Sequence, residues 1–378
     1  MKPACVADYR LAAKRRLPKV LFDYIDGGSY GENTLAANVA DMAALTLRQR
    51  VLRDVSDLSL ATEVFGQTLS MPVVLSPVGL AGMYARRGEA QAARAAQAAG
   101  VPLALSTVSV CTTAEVARAA VPPWFQLYMI KDRGFMSELL ALTRETGCPV
   151  LLFTVDLPVP GARYRDARNG LNAASPEARL RQAIDGLTHL DWFWDVLVKG
   201  GPQSLGNIAP ASTDLGALQE YMGWIGRNFD PSVTWKDIDW VRERWPGPMV
   251  IRGILDPEDA RDARSCGVVG VVVSNHGGRQ LDGAPSSIAA LPAIVEAVGE
   301  DLTVLMDGGV RSGLDVLKAL ALGAKACLIG RAWAWALGAG GEAGVAGMLE
   351  IMRQELRLAM SLTGCTDVRA AGRSLLTG

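Results

Sequence analysis

Eight short apolar segments recur along the chain from about residue 70, and polar or glycine-containing residues follow each one. The segments are rich in Val, Leu and Ile, a composition typical of strands buried on both faces of a parallel sheet. Ala-, Leu- and Arg-rich stretches with helical periodicity lie between them. The pattern predicts strands at 71–77, 101–107, 123–128, 149–156, 248–253, 270–278, 303–309 and 326–331, and helices at 86–99, 111–120, 135–147, 256–267, 287–299 and 314–324.

Alternation of strand and helix predicts an α/β fold with a parallel sheet. Eight such units favour a (β/α)8 TIM barrel, with a doubly wound sheet as the main competitor. The residues before the first predicted strand are interpreted as an N-terminal helical segment. We therefore expect residues 1–378 to form a single barrel domain.

One interval in this pattern is much longer than a single helix requires. More than ninety residues separate Asp156 from Pro248, which predicts an insert at 157–245 after the fourth strand. Four tryptophans lie in its central part, about 175–235: Trp192, Trp194, Trp224 and Trp235. They allow two interpretations. Either the insert is a packed lid with a tryptophan core, or it is a membrane-associating segment, since Trp suits half-apolar interfaces.

Composition excludes several other classes of function. Lys and Arg number 38 against 39 Asp and Glu, so no strong overall charge points to nucleic acid. The six cysteines are widely spaced without a CxxC pair, which fits a reducing compartment and argues against structural zinc. The charged N-terminus has no signal-peptide core, and no apolar run is long enough to span a membrane. We expect a protein kept inside the cell.

The stretch "SNHGGRQ" at 274–280 is unusual for the end of a buried strand. The chain has only two histidines, and one of them, His276, stands beside two glycines and Arg279. A lone buried histidine is more often a core residue with satisfied hydrogen bonds. The adjacent glycine pair brings backbone close to another group, and this favours a functional site.

Polar residues also follow the other predicted strands, and in a barrel all these strand ends meet at one mouth. The last two strands are followed by glycine and arginine in "DGGVRSG" and "LIGR", a combination suited to binding phosphate. Hydroxyl and amide groups end four other strands and suit a polar ring: Ser106, Gln126, Thr154 and Ser274. One phosphate and a polar heterocycle describe flavin mononucleotide (FMN).

The remaining polar groups suit a small acid. Two arginines can bind a carboxylate, and a histidine held by a carboxylate can remove a hydroxyl or Cα proton. The candidates are Tyr24, Tyr128, Asp156, Arg163, His276 and Arg279.

Five stretches together resemble the FMN-dependent α-hydroxy-acid dehydrogenase/oxidase family and, within it, the bacterial respiratory L-lactate dehydrogenases. They are "SNHGGRQLDGAPSS", "GLAGMYARRGE", "WFQLYMIKDRG", "FTVDLPVPGARYRD" and "DGGVRSGLDVLKALALGA". The resemblance extends from "YRLAAKRRLPKVLFDYIDGG" to "MSLTG". It implies a (β/α)8 barrel that binds FMN and oxidises an L-2-hydroxy acid, L-lactate above all, with electrons passed to quinone. It also implies a homotetramer. The length of the insert and its clustered tryptophans predict peripheral attachment to the cytoplasmic side of the inner membrane.

The resemblance also implies roles for individual residues. His276 is then the base, Asp156 its charge partner, and Arg163 with Arg279 the carboxylate-binding pair. Tyr24 and Tyr128 are expected to hydrogen-bond the substrate. The implied flavin contacts are Pro77, Val78, Gly79, Ser106, Gln126, Thr154 and Ser274. The implied ribityl-phosphate site consists of Asp307, Gly309, Arg311, Gly330 and Arg331.

One position departs from the family pattern. Where family members usually carry Lys at the end of the fifth strand, this chain has Arg252. The resemblance places that cation beside the flavin N1 and C2 carbonyl. Arg keeps the positive charge but is longer and forked. We expect Arg252 to face the flavin, because few better partners are foreseen for it there.

Other functions share parts of this pattern. A soluble oxidase that reduces oxygen to hydrogen peroxide would use the same groups, and so would a mandelate- or glycolate-type dehydrogenase. A flavin-binding scaffold without turnover is disfavoured by the intact set of His276, Asp156, Arg163 and Arg279. A flavin-free phosphate-sugar isomerase on the same barrel would be colourless.

Overall fold

The computed structural model describes residues 3–171, 176–200, 204–208 and 218–377. Ten strands are present in this part of the chain. They are β1 (Thr62–Val64), β2 (Gln67–Leu69), β3 (Val73–Leu75), β4 (Ala104–Ser106), β5 (Trp124–Leu127), β6 (Leu151–Thr154), β7 (Met249–Ile254), β8 (Gly270–Val273), β9 (Thr303–Asp307) and β10 (Cys327–Ile329).

Fifteen α-helices accompany the strands in the described ranges. They are α1 (Val6–Arg16), α2 (Lys19–Asp26), α3 (Asn33–Ala44), α4 (Gly88–Ala98), α5 (Thr113–Ala119), α6 (Arg133–Glu145), α7 (Tyr164–Arg168), α8 (Pro176–Thr188), α9 (Leu190–Trp192), α10 (Leu218–Asn228), α11 (Lys236–Arg244), α12 (Pro257–Ser265), α13 (Ser287–Val298), α14 (Gly313–Ala321) and α15 (Arg331–Thr363). A π-helical turn, Phe193–Val198, continues α9.

Strands β3 to β10 form one parallel sheet of eight strands, in the order β3-β10-β9-β8-β7-β6-β5-β4. The two end strands approach each other, because Leu75 pairs with Leu103 and its N–H donates to the Pro102 carbonyl oxygen over 2.9 Å. The predicted (β/α)8 barrel is confirmed. All eight predicted strands and six predicted helices are present. Most are a few residues shorter than predicted, but α6 and α14 begin one or two residues earlier and β7 ends one residue later.

Several helices begin where the sequence supplies a side-chain cap. Thr112, Asp132, Asp256, Ser286 and Ser312 each accept a hydrogen bond from a backbone N–H in the first turn of the following helix. Such caps satisfy donors that have no partner within the helix. Five of the loops that follow barrel strands thus end in a polar residue that fixes the start of the next helix.

The hairpin β1–β2 covers the opposite, amino-terminal end of the barrel. Phe65, in its turn, lies 5.7 Å from the ring of Trp124, and Gln67 accepts a hydrogen bond from the Trp124 indole over 3.1 Å. This hairpin was not predicted. Its strands are only three residues long, too short for a clear alternating pattern.

The insert after the fourth barrel strand contains α7 to α11. Trp192 and Trp224 are buried and Trp235 is partly buried, as the packed-lid interpretation expects. Trp194 is different, because 55% of it is exposed. No helix in the described ranges is long and apolar enough to cross a membrane.

Candidate active site

A cavity lies at the carboxyl ends of the barrel strands. Most of the residues singled out in the sequence line it: Tyr24, Pro77, Val78, Gly79, Tyr128, Arg163, Arg252, His276, Arg279, Asp307, Gly309, Arg311, Gly330 and Arg331. The other five, Ser106, Gln126, Thr154, Asp156 and Ser274, are not part of the lining. The fold therefore brings residues from across the whole chain to one mouth, as expected for a barrel.

His276 follows β8 in a strained backbone conformation. Its φ of 57° lies in the left-handed region, which residues other than glycine seldom adopt, and Gly277 and Gly278 follow with φ of 64° and 72°. The Ser274 hydroxyl accepts a hydrogen bond from the His276 N–H over 3.1 Å. This turn directs the imidazole into the cavity, and the two glycines allow the backbone to make it.

The two ring nitrogens of His276 have different neighbours. Nδ1 lies 2.8 Å from Oδ1 of Asp156, and the Tyr128 hydroxyl lies 3.4 Å from Nε2. Burial lowers the pKa of His276, with Arg252 and Arg279 adding to the effect and Asp156 opposing it. A lowered pKa favours the neutral imidazole, the form that can accept a proton. The pKa of Asp156 is also lowered, because its charge interaction and hydrogen bond with His276 and the charge of Arg252 outweigh the burial that would otherwise raise it.

Two partly buried arginines lie against Tyr24. The guanidinium carbons of Arg163 and Arg279 are 5.3 Å and 4.9 Å from the centre of its ring. Burial and the neighbouring charge of Arg163 lower the pKa of Arg279. Arg163 also forms an ion pair with Asp166 over 3.3 Å. Two arginines this close to each other favour an anion between or beside them.

The ends of β9 and β10 provide a second, separate region of positive charge. Gly330 precedes the first residue of α15, and an added Cβ there would meet nothing closer than Ser76 at 3.9 Å, which leaves room for a ligand. Burial lowers the pKa of Arg311 to about 10 and that of Arg331 well below its usual range. Neither forms an ion pair among the described residues. A bound phosphate would stabilise both cations.

Buried polar groups lie beneath the cavity at the ends of β4, β5 and β6. Ser106 donates to Oε1 of Gln126 over 3.0 Å. Within the described part of the chain, Nε2 of Gln126 and the hydroxyl of Thr154 have no hydrogen-bond partner. Buried polar atoms without partners are rare in native proteins and indicate a missing ligand or water. Together with the basic region at β9 and β10, they fit the polar ring and the phosphate of FMN.

Arg252 lines the cavity, and its guanidinium already has a partner within the protein. Its guanidinium forms an ion pair with Oδ2 of Asp307, at 2.6 Å from Nη2 and 2.8 Å from Nε. Its Nη1 lies 3.5 Å from Nδ1 of His276. The expectation that few partners other than the flavin were available was therefore wrong. The pair joins residues 252 and 307 on strands that are not neighbours in the sheet, and a sequence pattern does not display such a contact.

The comparison with family models covers nearly all of the chain: residues 13–378 match the model described as "FMN-dependent dehydrogenase". The chain belongs to the FMN-dependent dehydrogenase family. Similar proteins include L-lactate dehydrogenases of Caulobacter sp. (strain K31) and Xanthomonas campestris pv. campestris (strain 8004). The first is 58% identical, over 98% of this chain and 97% of its own. The second is 59% identical, over 97% and 94%.

Solved structures of other family members have the same fold. The monotopic membrane protein (S)-mandelate dehydrogenase superposes with a TM-score of 0.93 at 35% identity, covering 100% of both chains. A mandelate oxidase gives a TM-score of 0.84 at 39% identity, over 99% of this chain and 98% of that one. This family member is thus an FMN-dependent 2-hydroxy-acid dehydrogenase. FMN, when bound, supplies the two-electron acceptor for the oxidation.

Some cavity residues were not found from the sequence. Leu157, Pro160, Ile225 and Phe229 line the cavity from the insert, and Gln280 lines it from the loop after β8. The first four carry no charge or catalytic group, so only the fold shows that they face the site. Gln280 belongs to "SNHGGRQ", and its amide donates to the carbonyl oxygens of Asp156 and Val159.

The environment of His276 leads to a prediction about pH. Arg252 lowers the pKa of His276, so Arg252→Met should raise it. Because a base works only when deprotonated, the acidic limb of the kcat/KM profile should move to higher pH. An NMR titration provides a direct measurement, since His189 is the only other histidine in the chain. Arg252→Lys keeps the charge and should leave the limb in place. An unchanged His276 titration in the Met variant would contradict this assignment.

Proposed function

We propose that the protein oxidises L-lactate to pyruvate and passes the electrons to quinone. The observation that carries the chemistry is the placement of His276, which is held by Asp156 at Nδ1 and lies in the same cavity as Arg163 and Arg279. The curated relatives support L-lactate as the substrate. The mandelate enzymes among the structural relatives make an aromatic 2-hydroxy acid the second candidate.

In this proposal the arginine pair binds the substrate carboxylate, and Tyr24 and Tyr128 orient the substrate by hydrogen bonds. His276 takes the proton from the hydroxyl or from C2 of the substrate. Asp156 stabilises the imidazolium that results and fixes the orientation of the ring. Gln126 and Thr154 hold the polar ring of FMN, Arg311 and Arg331 hold its phosphate, and the buried charge of Arg252 favours reduction.

The experiment is a comparison of substrates and acceptors with the purified, FMN-loaded protein. L- and D-lactate, glycolate and (S)-mandelate are tested with a soluble quinone under anaerobic conditions, and separately with oxygen. We expect L-lactate to give the highest kcat/KM and quinone to be reduced. Hydrogen peroxide formation at a rate similar to quinone reduction would instead identify an oxidase, and a preference for (S)-mandelate would identify the second candidate.

An exposed apolar surface on the insert supports membrane attachment. We define the apolar insert face by seven residues, each between 44% and 70% exposed: Leu180, Ile184, Leu187, Leu190, Trp194, Leu197 and Val198. The first three occupy one side of α8 at helical spacing. Lys199 lies over the Trp194 ring at 5.8 Å. Exposed apolar clusters of this kind mark protein or membrane interaction sites. We propose peripheral attachment to the cytoplasmic side of the inner membrane, as a homotetramer.

Replacing three residues of the apolar insert face, Leu187, Trp194 and Leu197, by Ser should release the protein from lipid vesicles. Each side chain is about half exposed, so its insertion contributes about 1 kcal/mol, and together they change binding roughly 100-fold. Vesicle co-sedimentation measures this, and reduction of bound FMN by lactate should persist.

The matched control replaces Val51, Leu52 and Leu281 by Ser. These residues are at least as exposed, at 72%, 102% and 69%, but lie outside the insert. They should leave vesicle binding unchanged. Equal loss of binding in both triple variants, or no binding by the parent, would contradict the attachment proposal.

A further inference from the structure

The substrate's own side chain must point towards a particular wall of the cavity. The carbon that is oxidised carries a hydrogen, a hydroxyl, a carboxylate and one further substituent. In the proposed function, His276, the two tyrosines and the arginine pair occupy the first three directions. The ends of β3, β9 and β10 line the cofactor side. The apolar lining that remains consists of Ile25, Val108, Leu157, Pro160, Ile225 and Phe229.

Phe229 is the largest residue of this apolar wall, and it is firmly held. It is only 4% exposed, and its ring centre lies 4.9 Å from that of Tyr128. Its N–H donates to the Ile225 carbonyl oxygen over 3.0 Å, at the end of α10. Tyr128 also approaches His276, so the Tyr128 ring lies between Phe229 and the proposed base.

The backbone around Phe229 is attached to the segment after β5, which carries Tyr128. Phe229 pairs with Ile130 in an antiparallel bridge. On either side, Lys131 N–H donates to the Asn228 carbonyl oxygen over 2.9 Å, and Asp230 N–H donates to the Met129 carbonyl oxygen over 3.0 Å. The backbone that carries the ring therefore cannot move away without breaking this pairing, and a closely packed interior leaves little room for the ring itself to rotate.

We propose that Phe229, supported by Ile225, determines which 2-hydroxy acids the enzyme accepts, by limiting the size of the substituent on the reacting carbon. The proposal rests on the function proposed above and assigns its specificity to the insert. A methyl group fits against the wall, whereas a branched or aromatic substituent meets the ring. Apolar pockets discriminate by size in this way, by about 10- to 200-fold for each methylene group.

The test compares two substitutions of Phe229 that should change the size of the pocket in opposite directions. Phe229→Leu enlarges the pocket and should raise the ratio of kcat/KM for (S)-mandelate to that for L-lactate by at least about 10-fold. Phe229→Trp narrows it and should lower the kcat/KM of L-2-hydroxybutyrate relative to that of L-lactate. A second readout does not depend on turnover. Titration of the visible flavin spectrum with pyruvate and phenylglyoxylate should show the same changes in relative Kd.

Trp224→Phe is the matched control. Trp224 is buried in α10, the helix that ends one residue before Phe229. Its ring centre lies 6.5 Å from that of Phe229, but it does not line the cavity. The ratios of kcat/KM between substrates should be the same in Trp224→Phe as in the parent. Ratios within two-fold of the parent in both Phe229 variants, or a similar change in Trp224→Phe, would overturn the proposal. If the parent oxidises no 2-hydroxy acid, the proposed function fails, whereas an active parent with unchanged ratios refutes only the role of Phe229.

Discussion

Replacement of His276 by Gln is expected to slow reduction of bound FMN by L-lactate by about 10²- to 10⁴-fold, the usual contribution of a general base. Gln keeps a polar group of similar size but does not accept the proton. FMN should stay bound, because the described contacts of His276 are with Asp156, Tyr128, Arg252 and Ser274 rather than with the basic region at β9 and β10. Stopped-flow measurement of flavin bleaching under anaerobic conditions gives the rate.

The chain contains its own control for this experiment. His189, the only other histidine, lies in the insert, where its Nδ1 is 2.6 Å from the Asp185 carbonyl oxygen. In the His189→Gln variant, L-lactate should bleach the bound flavin at the parent rate. Reduction of His276→Gln at nearly the parent rate would show that another group accepts the proton.

Replacement of Arg279 by Lys should lower kcat/KM for L-lactate by roughly 30-fold or more, from a loss of about 2 kcal/mol when a buried carboxylate loses one side of its binding pair. Lys presents a point charge instead of a planar fork. Arg279 also donates to the Gly27 carbonyl oxygen over 3.1 Å, so thermal unfolding is measured in parallel. Steady-state kinetics with varied L-lactate separates binding from turnover.

Arg165→Lys is the matched control for this change. Arg165 forms ion pairs with Asp26 over 2.8 Å and with Glu32, but it does not line the cavity. Its kcat/KM should stay within a few-fold of the parent. If the Arg279→Lys enzyme has the kcat and KM of the parent, Arg279 does not bind the substrate carboxylate.

The barrel could be predicted from sequence because most of its strands are short apolar runs with an abrupt polar end. Runs such as 270–273 are buried at every position, and the residues that follow carry the site. The convergence of those ends is a property of the barrel, so fold and site followed from the same pattern. The hairpin β1–β2 escaped prediction because three-residue strands carry almost no periodicity.

The parts of the site that were missed depend on contacts between distant segments. Phe229 has no chemical feature that marks it, and only the pairing of its backbone with Ile130 places it in the cavity. The ion pair of Arg252 with Asp307 depends on how β7 and β9, which are not neighbours in the sheet, place these two residues. The insert gave a different difficulty, because a tryptophan in a sequence is equally compatible with a core and with an interface. Burial of Trp192 and exposure of Trp194 distinguish the two positions.

The most direct test of the account is anaerobic mixing of the FMN-loaded protein with L-lactate and, separately, with D-lactate. In the proposed function, the base at His276 and the carboxylate pair at Arg163 and Arg279 bind two different substituents of one stereocentre. L-Lactate should therefore bleach the flavin at a rate that saturates with concentration, with one pyruvate formed for each flavin, while D-lactate leaves the flavin oxidised. A flavin that stays oxidised in L-lactate, or that is bleached equally by both isomers, would contradict the account.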